Sequence, residues 1–416
     1  MKIAFINQPW SVVSPPVQNA DSVATWTYEV SSRLSKDCAI VSYCKQHKSQ
    51  AKCETYRGIE YRRISLIPDR IFLKILRELS KIVPISPSPL FNSTLYHFWY
   101  ILAIAFDLRR QHCDLVHIHN LSHFVPIVRA FNPKIKIVLH MHSEWLTQLQ
   151  PTTIARRLRK TDAILGCSEH VTDKVRQKFP AFASRCHTVF NGVDLDRFRP
   201  PEKPRDRLPK TLIFVGRISP EKGVHVLLEA FRQVAEHDRE VTLQIVGPKG
   251  STPREFIVDL SDDPEVQKLD IFYEKNYATY LDSLITQKIH DRVSFPGSVP
   301  HSHLAEFYRE SDILINPSLT EAFGMSLIEA MATELPAIVT RIGGMPEVIE
   351  EGKTGLFCHA GNPDSLAAAI LKLLEDDLLR TSMGTAGRER VLKLFSWDRV
   401  SERVWNVYQN LQQKND

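Results

Sequence analysis

From residue 211 onward, short apolar strands alternate with helix-length segments. The strand 211–215 leads to an amphipathic helix over 223–236, then to a strand over 241–246 and a longer polar insertion. After it come a strand at 293–295, a helix at 301–310, a strand at 313–316, a helix at 325–334 and a strand at 337–339. Near-continuous apolar strands joined by helices imply a parallel sheet covered on both faces, because a parallel connection needs a crossover and the crossover helices bury the sheet. The first half alternates in the same way, with strands at 3–6, 39–42, 115–119, 135–139 and 163–167, so the chain reads as two doubly wound α/β domains.

A length of 416 residues exceeds what one core usually organises and agrees with two domains. The joint is expected at 200–209, where four prolines among charged residues interrupt all periodicity. Seven scattered cysteines without a Cys-x-x-Cys pair point to a reducing compartment rather than a zinc site or redox couple. The apolar stretch 3–6 is too short for a signal-peptide core, and the run 98–106 is too short to span a bilayer and is followed by Asp107, Arg109 and Arg110. The expected location is cytoplasmic.

Residues 1–200 carry a net +13 and the remainder −8, so the first half could meet an anionic membrane surface or acceptor. Within it, Ile71, Ile75 and Leu79 fall at helical spacing among Arg70, Lys74, Arg77 and Lys81. This segment fits a membrane-surface or acceptor-docking helix, or an ordinary solvated one. No recognition-helix, RNA-binding or zinc-finger pattern accompanies the charge, and no nucleic acid partner is expected.

Two stretches carry chemistry. The strand 212–215 ends in Gly216-Arg217-Ile218-Ser219-Pro220-Glu221-Lys222-Gly223 before a helix. Ligands of open α/β sheets sit beyond the carboxyl ends of the strands, so Arg217 and Lys222 stand where a fork of donors and a compact charge can hold a diphosphate. The second stretch, Glu321-Ala322-Phe323-Gly324-Met325-Ser326-Leu327-Ile328-Glu329, follows the strand 313–316 and Pro317-Ser318. Gly324 permits close backbone approach, the amides of Gly324, Met325 and Ser326 open a helix that favours an anion, and Glu321 and Glu329 can accept hydrogen bonds from sugar hydroxyls. Either Glu alone would equally suit a solvated helix residue or a charge at the helix start.

These residues resemble the pattern of the family 4 retaining glycosyltransferases, a Gly-Arg with a following Lys-Gly and Glu-x7-Glu, met by Gly216, Arg217, Lys222, Gly223, Glu321 and Glu329. Asn191-Gly192-Val193-Asp194, Phe295-Pro296-Gly297-Ser298-Val299 and Gly343-Gly344-Met345-Pro346-Glu347 match in order as well. The resemblance implies a GT-B fold, two Rossmann-like domains facing a central cleft, with an acceptor-binding domain over 1–199, a linker over 200–209, a nucleotide-sugar domain over 210–397 and a terminal helix over 398–416 packing back on the first domain. It implies that Arg217 and Lys222 bind the donor diphosphate, that Glu321 and the backbone of Phe323, Gly324, Met325, Ser326 and Leu327 hold the donor sugar, that Glu329 binds the ribose, and that the base lies near Gly297 to Val299.

In the first half, Ile137-Val138-Leu139-His140-Met141-His142 ends a strand in two histidines on one face. Members of the family carry a His here near the reacting sugar, which His142 fits best. A metal held by His140 and His142 is disfavoured because no further ligand is apparent and GT-B enzymes need no catalytic metal, and Asp194-Leu195-Asp196 is not read as a metal site. His117 and His119 read as structural. The family's Gly-Gly loop after the first strand is replaced by a stretch in which Asn19, Asp21 and Ser22 either supply acceptor-side contacts or cap the next helix.

The expected activity is transfer of a hexose from a UDP- or GDP-linked sugar to a glycan, lipid or small-molecule acceptor by same-face attack, with no cofactor beyond the donor. A nucleotide-sugar epimerase or hydrolase on the same architecture, a phosphorylase whose pyridoxal phosphate lysine is not identifiable, and a non-catalytic sugar-nucleotide-binding module are the competing readings.

Overall fold

The structure is a computed structural model, and it describes all residues except 12, 14–20, 48–49, 83–89, 203–208, 251, 275 and 414–416, together with the side chains at 77 and 79–82. The chain forms two compact units, Met1–Phe190 with Trp397–Asp416, and Asn191–Ser396.

In unit 1 the strands are β1 (Lys2–Ile6), β2 (Ala39–Lys45), β3 (Cys53–Tyr56), β4 (Ile59–Ile64), β5 (Leu115–His119), β6 (Lys136–Met141), β7 (Ala163–Gly166) and β8 (Cys186–Thr188). They pair in the order β3-β4-β2-β1-β5-β6-β7-β8, parallel throughout except for the β3–β4 hairpin. That hairpin turns on Arg57 and Gly58, both at positive φ. The sequence does not betray β3, because an exposed edge strand of Cys, Glu, Thr and Tyr has no apolar run to signal it.

β5 is buried at every position, since a central parallel strand is covered on both faces. His117 and His119 on β5 and His140 on β6 therefore lie inside the fold, under Trp26 of the helix Ser22–Leu34 and Tyr408 of the helix Trp397–Gln413. β6 runs two residues past the expected end, which puts His140 in the strand and His142 directly after it.

Unit 2 is built on β9 (Thr211–Val215), β10 (Thr242–Val246), β11 (Val293–Gly297), β12 (Ile313–Asn316), β13 (Ala337–Thr340) and β14 (Gly355–Cys358), all parallel, in the order β11-β10-β9-β12-β13-β14. The helix Val224–His237 buries Val224, Leu227, Leu228, Phe231 and Val234, a spacing that keeps one face on the sheet. Unit 2 begins ahead of the proline-rich stretch, because Phe198 is fully buried against Tyr308 and His301 and the Arg388 guanidinium donates to the Phe198 carbonyl. Residues 203–208 of the expected joint, and Asn19, lie outside the described residues.

Among the described residues no helix is long and apolar enough to cross a membrane. The run 98–106 belongs to the helix Phe98–Gln111, whose Tyr100, Ile101, Ile104, Ala105 and Leu108 are buried in unit 1.

Candidate active site

In unit 2 the strand order reverses between β9 and β12, with β10 and β11 on one side and β13 and β14 on the other. Such a reversal splays the two following loops apart and leaves a crevice at the carboxyl ends of the strands. The loop after β9 carries Gly216 to Lys222, and the loop after β12 carries Glu321 to Gly324.

Lys222 closes a single 3-10 turn, Pro220–Lys222, and its Nζ donates to Glu321 Oε2 at 2.7 Å. Burial alone would push the Glu321 carboxyl up, but the Lys222 ammonium and the amides of Phe323 and Ala322 hold it below the ordinary carboxylate range. Glu321 is thus held ionised beside the Lys222 Nζ, and both side chains are half-buried. Gly343 packs against the Glu321 backbone so closely that a Cβ there would lie 1.7 Å from the Glu321 carbonyl oxygen, and its φ of +53 is one that L side chains rarely adopt. Glycine at 343 is therefore part of what positions Glu321.

Arg217 is exposed, and its Nη1 donates to Thr252 Oγ1, whose hydroxyl donates in turn to the buried Glu221 at 2.9 Å. Glu221 also accepts from Ser219 Oγ at 2.7 Å. Neither Glu221 nor Thr252 was recognisable in the sequence, because Thr252 comes from the loop after β10, 35 positions from Arg217.

The helix Met325–Ala332 starts at Gly324, at φ +97, and its first bond runs from the Leu327 amide to the Gly324 carbonyl at 3.1 Å, which leaves the amides of Met325 and Ser326 ahead of the helical ladder. Met325 and Ser326 are half-exposed, whereas Phe323 and Leu327 are core residues, Phe323 packing on the Phe395 ring.

Glu329 sits in a hydrogen-bonded group of its own. It is 5% exposed, and its carboxylate accepts from His301 Nε2 at 2.8 Å and from the Tyr308 hydroxyl at 2.9 Å, while Arg197 Nη1 lies 3.0 Å from His301 Nδ1. Burial works against charging His301, but the Glu329 carboxylate outweighs it and raises the imidazole above its ordinary value. His301 and Tyr308 were missed because nothing in their spacing marks them. Gly297 ends β11 at positive φ with open space where a side chain would be, and Val299 follows in the next loop. Asp194 accepts from the amides of Asp196 and Arg197, so it shapes a turn.

In unit 1, Asp21 caps the helix Ser22–Leu34, its Oδ1 accepting from the Ala24 amide at 2.9 Å, and Ser22 is the first helical residue. The capping alternative thus accounts for Asp21. His142 is half-buried, and its backbone amide donates to Asn120 Oδ1 at 2.7 Å. Its Nε2 lies 3.1 Å from His119 Nδ1, and its ring stacks at 4.1 Å on His140. His117, His119 and His140 bring ligand nitrogens within 4.8 Å of one another. Burial pushes all three well below the ordinary imidazole value.

Residues 197–390 match the family described as Glycosyl transferases group 1, and residues 23–197 match Glycosyltransferase Family 4. Spore coat protein SA of Bacillus subtilis is 29% identical over 328 residues, covering 74% of this chain and 82% of that protein. The lipopolysaccharide 1,2-N-acetylglucosaminetransferase of Salmonella typhimurium is 27% identical over 427 residues, covering 98% of each. Sucrose-phosphate synthase from Thermosynechococcus elongatus superposes with a TM-score of 0.73 at 19% identity, covering 99% of both chains. Anabaena HepE, solved with UDP and glucose, gives 0.69 at 17% identity, covering 98% of this chain and 99% of that one. With two parallel-sheet α/β units, GT-B neighbours along its whole length and both family matches in sequence, this chain belongs to the family 4, group 1 glycosyltransferases.

Proposed function

We propose that this glycosyltransferase is a retaining hexosyltransferase that uses a UDP- or GDP-linked sugar and a glycan, lipid or small-molecule acceptor. The observation that carries the reading is the Lys222–Glu321 pair at the topological reversal of unit 2, beside the N-terminus of the helix Met325–Ala332. Cation, carboxylate and helix amides there match a diphosphate joined to a polyhydroxylated ring. Neighbouring solved structures hold UDP or UDP-glucose, which agrees with a nucleotide-sugar donor.

In this reading Arg217 forks onto phosphate oxygens, and Lys222 turns from Glu321 towards the diphosphate. Glu321 then accepts from hydroxyls of the hexose, with the Phe323 to Leu327 backbone supporting it, and Glu329 holds the ribose through lone pairs left over from His301 and Tyr308. The base rests near Gly297 and Val299. As the sugar–phosphate bond breaks, negative charge grows on the leaving diphosphate, where Arg217, Lys222 and the helix N-terminus stabilise it. The acceptor hydroxyl attacks from the same face and passes its proton to a phosphate oxygen. His142 of unit 1 serves the acceptor side, where Ser22 and Asn19 are further candidates.

A thermal-shift panel of nucleotide sugars tests the reading, because a ligand of the folded state alone raises its melting temperature. One UDP- or GDP-sugar should raise Tm by several degrees in the native protein and not in Glu321→Ala. The anomer formed in the product should keep the donor's configuration. Donor hydrolysis or epimerisation with no transfer to any acceptor would select the epimerase reading, and binding without turnover the non-catalytic one.

One surface observation favours a second contact. Ile67, Ile71 and Ile75 of the helix Ile67–Ile82 are 64%, 58% and 52% exposed, and Arg70 and Lys74 are exposed beside them. This face suits the headgroup region of an anionic bilayer. The protein should sediment with phosphatidylglycerol vesicles, and Ile71→Asp with Ile75→Asp should abolish it; equal sedimentation of both proteins would remove the membrane from the account.

A further inference from the structure

We infer that Thr252, held by Glu221, is a positioning residue that aims the Arg217 guanidinium at the diphosphate; this rests on the reading of Arg217 as a phosphate ligand. Arg217 is exposed, and a long side chain at a surface spreads over many rotamers. A cation gathered from such a spread at each binding event gives up part of its attraction to ordering, whereas one already held in place does not. Among the described residues, the side chain that takes a hydrogen bond from Arg217 is Thr252.

The direction of each bond follows from what the groups carry. A guanidinium only donates, so Thr252 Oγ1 accepts from Arg217 Nη1. The single hydroxyl hydrogen of Thr252 is turned the other way, to Glu221 Oε1 at 2.9 Å, where Ser219 Oγ also donates at 2.7 Å. Glu221 is 3% exposed and Ser219 is fully buried, so this end of the chain of bonds is fixed in the fold. A guanidinium has five N–H donors, and the bond to Thr252 leaves others for phosphate oxygens.

A continuation of the sheet brings Thr252 to Arg217. β9 and β10 stay paired past their ends, with the Gly216 amide donating to the Val246 carbonyl at 3.0 Å, the Ile218 amide donating to the Pro248 carbonyl at 3.0 Å, and a parallel bridge between Ile218 and Lys249. At Gly247, φ +147, the two loops approach so closely that a Cβ would lie 1.8 Å from the Gly216 carbonyl oxygen. Beyond Thr252 the chain builds a small core of its own, Val258, Val266 and Leu269 packed with Leu319. Leu319 lies in the loop that carries Glu321, and its amide donates to the Glu221 carbonyl at 2.8 Å. The segments before and after Thr252 are thus anchored without using Arg217. The polar insertion after β10 supplies one hydroxyl to the phosphate end of the crevice, and loss of that hydroxyl frees the guanidinium without removing it.

Two measurements on the full-length protein test this. In 15N relaxation of the arginine side chains, the Arg217 Nε–H should be ordered in the ligand-free native protein and mobile in Thr252→Val, which keeps the shape and removes the hydroxyl. Equal mobility in the two proteins overturns the inference. In calorimetric titration with UDP and GDP, Thr252→Val should bind the preferred diphosphate about tenfold more weakly, near the lower end of what a hydrogen bond to a charged group contributes. Thr252→Ser should stay within about twofold of the native protein.

In an Arg217→Ala background, Thr252→Val should change the affinity by less than about twofold, because the residue through which it acts is gone. The same tenfold loss in both backgrounds means that Thr252 only supports the loop, and overturns the inference. A loss in Arg217→Ala with none in Thr252→Val overturns it too and leaves the phosphate reading standing, whereas no loss in Arg217→Ala removes that reading and the inference with it. Thr252→Ala carries the same expectations if the valine variant does not fold.

Discussion

Replacing Lys222 or Arg217 by alanine is expected to lower kcat by about 10²- to 10³-fold, the usual cost of removing one preorganised charge from a developing anion. The two variants should differ in kind. Arg217 is exposed and, among the described residues, reaches Glu221 through Thr252, so on the proposed reading its loss would remove phosphate contacts and leave the rest of the crevice in place. Lys222 also neutralises Glu321 at 2.7 Å. Without it, burial pushes the Glu321 carboxyl up towards protonation, and what remains ionised repels the diphosphate. Lys222→Ala should therefore raise KM for the donor as well as lower kcat, and Lys222→Ala with Glu321→Gln should lose less than the sum of the single losses in free energy. Initial rates with varied donor check this. Unchanged rates in both single variants would refute the assignment of the cations.

The second large effect concerns stability against acid. Burial holds His117, His119 and His140 well below the ordinary imidazole value, and pushes His97 down to about 4 and His123 to about 3. In the unfolded chain these rings charge below about pH 6.5, whereas in the fold they stay neutral. The unfolded state therefore binds more protons, so the stabilisation is complete above pH 6.5 and drains away as the pH falls. Each ring that stays neutral in the fold removes up to ~1.4 kcal/mol per pH unit below the pKa of the unfolded chain, so the buried histidines together oppose a typical domain stability of ~5–15 kcal/mol increasingly as the pH falls.

All six tryptophans lie in unit 1, so their fluorescence reports that unit alone. A cooperative change in tryptophan emission should begin below pH 6.5, and replacing His140 by a residue that stays neutral, as in His140→Gln, should move its midpoint to lower pH in a variant that still folds. Emission that stays native down to pH 3 would mean the rings are not held neutral in the fold.

How much of this the residues disclosed follows from the range of each interaction. The parallel sheets were legible because a strand buried on both faces must be apolar throughout, as in β9 and β12, and an amphipathic helix must repeat, as in Val224–His237. That Lys222, Glu321 and the Gly324 helix start come together was legible only from their combination on one sheet and their match to the family pattern, because each alone also suits an ordinary helix start. The partners of Glu329 were not. His301 and Tyr308 reach it from 28 and 21 positions away, and only the folded sheet brings them there. The same holds for the histidines of β5 and β6. Their period of two gave a shared face, but their partners Thr27 and Tyr408 come from 92 and 291 positions away, and only the fold brings them to the rings. The exposed edge β3 and the early start of unit 2 at Asn191 were hidden for a related reason, since neither depends on a local apolar pattern.

Calorimetric titration with UDP and GDP bears most directly on the crevice at the carboxyl ends of β9 and β12. The native protein should bind one of the two diphosphates, and the protein lacking both Arg217 and Lys222 should bind it at least about 100-fold more weakly, a difference of ~2.7 kcal/mol. Equal affinity in the two proteins, or no binding of any nucleoside diphosphate by the native one, would contradict the account.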